Sequence, residues 1–359
     1  MKRIFAAILI VCLLLSGCAN WFDGSYSSVV QHTEPSAQGE ESVISVVNYY
    51  QLTKALENMV ETGTENAALS MEGYDGEAIK AVDSAIKQVC EENPFAVYGV
   101  ESIRYEVGTR GGEKTVSVRI TYLTNRINRK NIQRIQNEQQ IKELIYKQLD
   151  DCSSGVVFYF EDWENMDYAQ LVSDYAVECP QKVMEVPEVT VNLYPEEGKR
   201  RIAEVTFTYQ NSRGSLRTMQ SQVGLVFSSA EKCVSKDAAA EEKLSQLYAF
   251  LMERYNEYEI QTSITPAYTL LLHGVGDNKA FANVYAAMCR GAGVECRTVV
   301  GTRAGDPWIW NVAQVDGVYY HIDLLRCRDE GGFRLYADVE MEEYVWDYSA
   351  FPTQMMLNN

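Results

Sequence analysis

The residues most suited to chemistry lie between positions 273 and 323. The polar and aromatic side chains of this stretch are His273, Asp277, Trp308, Trp310 and Asp323. Within this stretch, apolar residues recur at the spacing of one helical face: Ala280, Phe281, Val284, Tyr285 and Met288. They predict a helix that begins just after Gly276 and stops at Gly291 and Gly293. A strand at 299–301 and a hairpin around Asp316-Gly317 follow.

The predicted hairpin brings positions 308 and 323 together. A two-residue turn sets Val315 opposite Val318, Trp310 opposite Asp323 and Trp308 opposite Leu325. Positions 308 and 323 are then diagonal neighbours on one face of the sheet, roughly 7–8 Å apart. A base at 308 oriented by Asp323, with a nucleophile at 276 on the helix start, would have the layout of a Cys-His-Asp site.

These residues resemble the core of the transglutaminase-like superfamily, which has a papain-like fold. The family pattern Gly-Val-Cys-x-Gly-Tyr-Ala is matched at Gly274, Val275 and Ala280. His-Ala-Trp-Asn is matched at Trp310 and Asn311, and Trp-Tyr-x-Val-Asp at Tyr320 and Asp323; Gly301 and the aromatic residues from Tyr336 to Phe351 also fit. The resemblance covers roughly residues 232–355 and implies a transglutaminase-like α+β domain.

The chain departs from that pattern at the two positions that start the reaction. Gly276 stands at the nucleophile position and Trp308 at the base position, so only Asp323 of the triad remains. Glycine has no thiolate, and an indole donates a hydrogen bond but accepts no proton near neutral pH. The prediction is a pseudoenzyme without catalytic residues. The alternative is a transglutaminase- or protease-like hydrolase that acts on peptides or wall polymers through a non-standard site.

The degenerate site also predicts where a ligand could bind. Trp308, Trp310 and Asp323 form a possible groove for a peptide, a protein or a cell-wall polymer, with His273 and Asp277 beside it. In the competing interpretation, Trp308 fills the vacated cleft and closes it. No C-x-x-C pair is present among the cysteines, so neither a metal site nor any other cofactor is predicted.

The N-terminus predicts export and a lipid anchor. Lys2-Arg3 precede an apolar run too short to span a membrane, and Leu15-Ser16-Gly17-Cys18 resembles the bacterial lipobox. Cys18 is therefore the predicted lipidation site, and the predicted location is the extracytoplasmic face of the cell membrane. A net charge of −18 argues against nucleic acid as a partner.

An internal repeat precedes the transglutaminase-like stretch. Alternating residues at 116–122 recur at 203–209, each after a matching helix and strand, so residues 45–126 and 132–213 each predict an α-β-α-β-β unit. Between them, Arg126, Arg129, Lys130 and Arg134 predict a solvated basic helix face, with phosphate or polyanion binding as the alternative.

The predicted fold class is α+β throughout, with two tandem α-β-α-β-β repeats before the last domain. The predicted organisation is a signal peptide (1–18), a tether (19–44), repeat 1 (45–131), repeat 2 (132–229) and the transglutaminase-like domain (230–359).

Overall fold

The structure is a computed structural model, and it describes residues 43–124, 126, 131–162, 165–258 and 264–349. The predicted signal peptide, tether and lipidation site at Cys18 lie outside the described residues. Among the described residues, no helix is both long and apolar enough to cross a bilayer. From Ile44 onward the chain contains three clusters of buried side chains, one for each half of the predicted repeat and one for the C-terminal part.

The first module is a four-stranded sheet covered by helices. Its elements in chain order are β1 (Ile44–Ser45), α1 (Tyr49–Thr62), β2 (Asn66–Ser70), α2 (Ala78–Glu92), α3 (Pro94–Gly99), β3 (Val100–Arg110) and β4 (Glu113–Tyr122). The strand order is β1-β2-β4-β3, with β1 parallel to β2 and the other pairs antiparallel. Val116, Val118 and Ile120 alternate into the core as predicted, whereas Ile79 of α2 is 51% exposed.

The second module has the same topology. Its elements are β5 (Gln133–Ile135), α4 (Glu138–Asp150), β6 (Gly155–Phe160), α5 (Tyr168–Glu178), β7 (Glu188–Tyr194) and β8 (Arg201–Thr208). The strand order is β5-β6-β8-β7, again with one parallel pair and two antiparallel pairs. Both modules begin with a short parallel strand that the repeat pattern did not predict. Superposition of the two as copies of one unit stays a prediction.

Two arginines join the modules. Arg126 donates two hydrogen bonds to the carboxylate of Glu204, one of 2.9 Å, and its guanidinium lies over the rings of Tyr98 and Tyr194. Arg134 lies in β5 and forms a 2.8 Å ion pair with Glu61 of α1. The prediction that these two arginines belong to a helix face is therefore wrong, because Arg126 lies in a bend and Arg134 in strand β5, and both have partners across the module boundary. Arg129 and Lys130 lie outside the described residues.

The C-terminal part packs helices against a third four-stranded sheet. Its elements are α6 (Arg213–Cys233), α7 (Ala240–Met252), β9 (Asn256–Glu257), α8 (Pro266–Tyr268) with a π-helical turn (Thr269–His273), β10 (Val275–Gly276), α9 (Asn278–Gly291), β11 (Cys296–Arg303), β12 (Asp306–Val315), β13 (Val318–Ile322), α10 (Leu324–Asp329), a 3-10 turn (Asp338–Glu340) and β14 (Tyr344–Trp346). The sheet order is β13-β12-β11-β14, all antiparallel. Every residue from Ala280 to Cys289 in α9 is buried, so this helix forms the centre of the core.

Candidate functional site

The start of α9 lies against β12 beside Trp308. Asp277 is the N-cap residue, and its carboxylate accepts a 2.8 Å hydrogen bond from the backbone N–H of Ala280. The side chain of Asn278 donates to the carbonyl of Ile309, the residue that follows Trp308. The predicted helix thus begins where the motif places it, and it ends at Gly291 as predicted.

Gly276 occupies a crowded position. It is buried in β10, which pairs with β9 in a parallel arrangement. A Cβ atom built there would lie 2.9 Å from the Cβ of Ala280 and 3.1 Å from the Cβ of Leu270. Carbon atoms in contact are normally about 3.5–4.0 Å apart, so even a methyl group would force its neighbours to move. The position that a nucleophile would need is filled by the packing around it.

Trp308 and Asp323 are direct partners. The indole Nε1–H of Trp308 donates a 2.8 Å hydrogen bond to Oδ2 of Asp323. The predicted pair Val315–Val318 is confirmed, but the ladder ends at Asn311–Ile322. The predicted pairings of Trp310 with Asp323 and of Trp308 with Leu325 are therefore wrong. Asp323 leaves the strand to cap α10, and this turn still brings its carboxylate to Trp308.

Four donors occupy the carboxylate of Asp323. Its Oδ2 accepts from Trp308 and, at 2.7 Å, from the hydroxyl of Tyr344; its Oδ1 accepts from the backbone N–H groups of Leu325 and Arg326 at 3.1 and 3.2 Å. The side chain is about 3% exposed. A carboxylate offers about four lone-pair positions, so its hydrogen-bonding capacity is used by donors that hold it in place. None of them can take a proton from a nucleophile.

The environment keeps Tyr344 a donor. Burial raises the pKa of the Tyr344 hydroxyl, and the neighbouring carboxylate of Asp323 raises the pKa further. A phenol with a raised pKa stays protonated at neutral pH and continues to donate. This bond therefore adds to the closed state of the site.

Arg303 completes the site and was not predicted. Its guanidinium lies 5.5 Å from the ring centres of both Trp308 and Tyr344, and Nη1 is 3.6 Å from Oδ2 of Asp323. Its side chain is 27% exposed, so it is the part of the site that reaches solvent beside the half-buried Trp308. No sequence pattern marks Arg303, whereas Tyr344 belongs to the aromatic end of the recognised motif.

A second buried chain of hydrogen bonds uses Trp310 and His321. The indole of Trp310 donates to Nδ1 of His321 at 2.9 Å, so Nδ1 carries no proton. The proton is then on Nε2, which lies 3.1 Å from Oδ1 of Asp338. Burial lowers the pKa of His321 although Asp338 opposes that shift, so the imidazole is neutral at pH 7. Its acceptor nitrogen is already occupied by the Trp310 indole, so His321 is not available as a base.

The remaining ligand candidates lie apart from an open groove. Trp310 is 1% exposed, so it is a core residue rather than a groove wall. His273 is exposed at the end of the π-helical turn, with its ring against Tyr268. The crevice that Asn278, Phe281, Trp310 and Asp323 help to line has no room for a water molecule. This crevice therefore has no space for a ligand.

The fold keeps two of the buried cysteine thiols protonated. Each of the seven described cysteines is free, and Cys289, Cys296 and Cys327 are fully buried. Burial raises the pKa of the thiols of Cys289 and Cys327. A protonated thiol is a poor nucleophile, so neither supplies the chemistry that Gly276 lacks.

Comparison with known proteins agrees with the recognised motif. Residues 228–346 match the family model described as the transglutaminase-like superfamily. Residues 228–346 form a transglutaminase-like domain. These bounds contain α9, Trp308, Asp323 and Tyr344, and they begin within the long helix α6. No curated protein matches the chain.

Three solved structures are similar to the chain at low identity. A candidate protease of Parabacteroides distasonis is 11% identical, with a TM-score of 0.24, 71% of this chain covered and 39% of that chain covered. A candidate cysteine protease of Cytophaga hutchinsonii is 13% identical, with a TM-score of 0.27 and coverages of 44% and 70%. A protein described as a TGase is 10% identical, with a TM-score of 0.26 and 78% of each chain covered. The chain thus spans 39% of the length of the first of these structures.

Proposed function

We propose that this chain is a lipid-anchored extracytoplasmic protein whose transglutaminase-like domain binds its partner without catalysing a reaction. The partner class is a peptide, a protein or a cell-wall polymer. The observation that carries the proposal is the hydrogen bond from Trp308 to Asp323. In a Cys-His-Asp site the carboxylate orients an imidazole. Here the indole of Trp308 makes that contact, so the carboxylate of Asp323 holds a packed side chain in place instead of orienting a base.

The crowding at Gly276 supports the same proposal independently. A nucleophile needs a side chain at the start of α9, and the methyl of Ala280 lies too close for one. Acyl transfer by this mechanism needs both a nucleophile and a base, so the loss of either is sufficient to stop it. The partly exposed Arg303 and Trp308 are the residues with which such a site would contact a ligand.

Thiol reactivity in the native chain tests whether a hidden nucleophile exists. Cys233 is exposed and serves as an internal reference, while Cys152, Cys289, Cys296 and Cys327 are buried. With iodoacetamide at pH 6–7, read peptide by peptide by mass spectrometry, we expect Cys233 to react first and the buried thiols to react only on unfolding. A buried thiol that reacts faster than Cys233 would be an activated nucleophile, and the hydrolase alternative would then replace the proposal.

Membrane attachment is tested at Cys18. The lipobox-like ending supports the anchor, since acyl chains add about 0.8 kcal/mol per buried methylene and two or more hold a protein at a bilayer. Cys18→Ala should release the chain from the detergent phase in a Triton X-114 partition of its native host. Cys12→Ala, within the apolar run, is the matched control and should leave partition unchanged. Equal partition of both variants with wild type contradicts lipidation at Cys18.

A further inference from the structure

The first sheet has an open edge. β3 is the last strand in the order β1-β2-β4-β3, and Arg104 and every residue from Glu106 to Arg110 are exposed. The equivalent strand of the second sheet, β7, contacts α3 at its C-terminal end, where the rings of Tyr98 and Tyr194 lie 5.2 Å apart. An unpaired strand presents a row of free backbone groups to other chains.

The hydrogen-bond pattern identifies the free backbone groups of β3. The N–H of Ile120 in β4 donates to Glu65 on the β2 side, so the even-numbered residues of β4 point towards β2. Odd-numbered residues of β4 then point towards β3, where Arg119 lies opposite Arg104. The backbone N–H and C=O groups of the even-numbered residues of β3 therefore point towards β4, inside the sheet. The residues with outward N–H and C=O groups are Ile103, Tyr105 and Val107.

The sequence of β3 is self-complementary in one antiparallel register. Outward-pointing residues must face one another, so only registers that pair odd with odd positions are possible. When Tyr105 faces Tyr105 of a second copy, Arg104 faces Glu106 twice and Ile103 faces Val107 twice. In the two neighbouring permitted registers, Arg104 faces Arg104 of the second copy, or Glu106 faces Glu106 of the second copy. Like charges directly opposite each other destabilise a sheet, so charge selects the register centred on Tyr105.

Both charges lack a partner within the described chain. Arg104 and Glu106 are exposed, neither forms an ion pair among the described residues, and Arg104 faces the like charge of Arg119 across the ladder. Apolar surface also lies along this edge, with Val107 43% and Ile79 51% exposed. The helix that carries Ile79, α2, is held beside β3 by a 2.7 Å hydrogen bond from Tyr105 to Asp83. A second copy would cover this apolar surface and neutralise Arg104.

We propose that β3 is a homodimerisation strand. Two copies of the chain pair antiparallel about a two-fold axis at Tyr105, so that their first sheets join into one continuous sheet. About six backbone hydrogen bonds form between the outward residues. Arg104–Glu106 pairs form on one face and Ile103–Val107 pairs on the other. This contact lies in the first module and is independent of the transglutaminase-like domain and its proposed function.

Charge reversal tests the register. The full chain in detergent micelles is measured by sedimentation equilibrium, with Arg104→Glu and Glu106→Arg as single variants. Wild type should dimerise at micromolar concentrations, and each single reversal should weaken the dimer about tenfold or more, because two attractive pairs become repulsive. An equimolar mixture of the two single variants should form a heterodimer as stable as wild type, and the double variant should recover homodimers.

A matched control variant and folding checks distinguish loss of the proposed β3 contact from effects of added charge or of misfolding. Thr190→Arg adds a charge at the corresponding exposed position of β7, outside the proposed contact, and should leave the dimer unchanged. The circular dichroism spectra of all variants should agree, since both charged positions are exposed. A monomeric wild type at 100 µM overturns the proposal, and so does equal dimerisation of wild type and the single variants. A mixture that fails to recover the dimer overturns the register.

Discussion

Gly276→Ala measures directly whether the nucleophile position is closed. The added methyl would meet Ala280 at 2.9 Å and Leu270 at 3.1 and 3.2 Å, and Leu270 and Ala280 are fully buried. The backbone of Gly276 is not left-handed, so the cost arises from packing alone. Overpacking in a core costs typically about 1–3 kcal/mol. We therefore expect a free energy of unfolding lower by about 2 kcal/mol and a melting temperature lower by roughly 4–8 °C.

The control substitution should change the free energy of unfolding in the opposite direction. Gly224 lies within α6, and a Cβ built there meets nothing within 4 Å. Alanine is a better helix former than glycine by about 1 kcal/mol, so Gly224→Ala should stabilise the chain. Both variants are compared with wild type by urea and thermal unfolding followed by circular dichroism.

A double-mutant cycle locates the clash. Ala280→Gly removes the nearest atom and by itself costs about 1 kcal/mol of helix propensity. If the crowding is real, Gly276→Ala with Ala280→Gly should be less destabilised than the sum of the two single changes, by about 1 kcal/mol. The reasoning is refuted if Gly276→Ala is as stable as Gly224→Ala. Position 276 would then have room for a catalytic side chain.

Two further changes probe the buried hydrogen bonds. Trp308→Phe and Tyr344→Phe each remove one hydrogen-bond donor from Asp323, and each should lower the free energy of unfolding by about 1–3 kcal/mol. The double variant should lose more stability than the sum of the two single changes. Simple additivity would show that Oδ2 does not depend on both donors. The pKa of His321 is lower in the folded chain than the ordinary histidine value of about 6.5. Below that pH the unfolded chain binds a proton that the folded chain does not, so the free energy of unfolding decreases as the pH is lowered, by up to about 1.4 kcal/mol per pH unit. His321→Gln should flatten this dependence between pH 6.5 and 5, whereas His273→Gln at an exposed position should retain it; equal slopes in the two variants would contradict the assignment.

Local patterns predicted most of the motif region. The apolar spacing of α9 and the Asp316-Gly317 turn were both correct, because each depends on neighbours within a few residues. Asp316 and Gly317 have φ angles of 51° and 84°, the left-handed pair that a two-residue hairpin turn requires. The proximity of Trp308 and Asp323 was also predicted, although the ladder that was meant to produce it ends earlier.

Long-range packing explains what the sequence did not predict. The end of β13 depends on Asp323 capping α10, which alternation within the strand does not reveal. The helix α6 was not predicted, because its buried residues Leu216, Val223 and Ala230 lie seven positions apart and so do not recur at every turn. The strands β1 and β5 are two and three residues long, too short for any period. Arg303 reaches the site through contacts with Trp308 and Tyr344 that only the folded chain creates.

The central claim is that the transglutaminase-like site lacks both a nucleophile and a base. The most direct measurement is the pH dependence of alkylation by iodoacetamide at position 276, read by mass spectrometry. It compares Gly276→Cys with Gly276→Cys plus Trp308→His, both in the Ala280→Gly background that makes room for the side chain.

We expect the introduced thiol to titrate near the ordinary thiol value of about 8.5 in the first variant, lowered only slightly by the helix start. With an imidazole at 308, oriented by Asp323, the thiol pKa should fall to about 7 or lower. If the thiol is already strongly activated without the imidazole, Trp308 is not the missing base and the claim of two losses is contradicted. If both variants titrate alike near 8.5, positions 276 and 308 do not form a site at all.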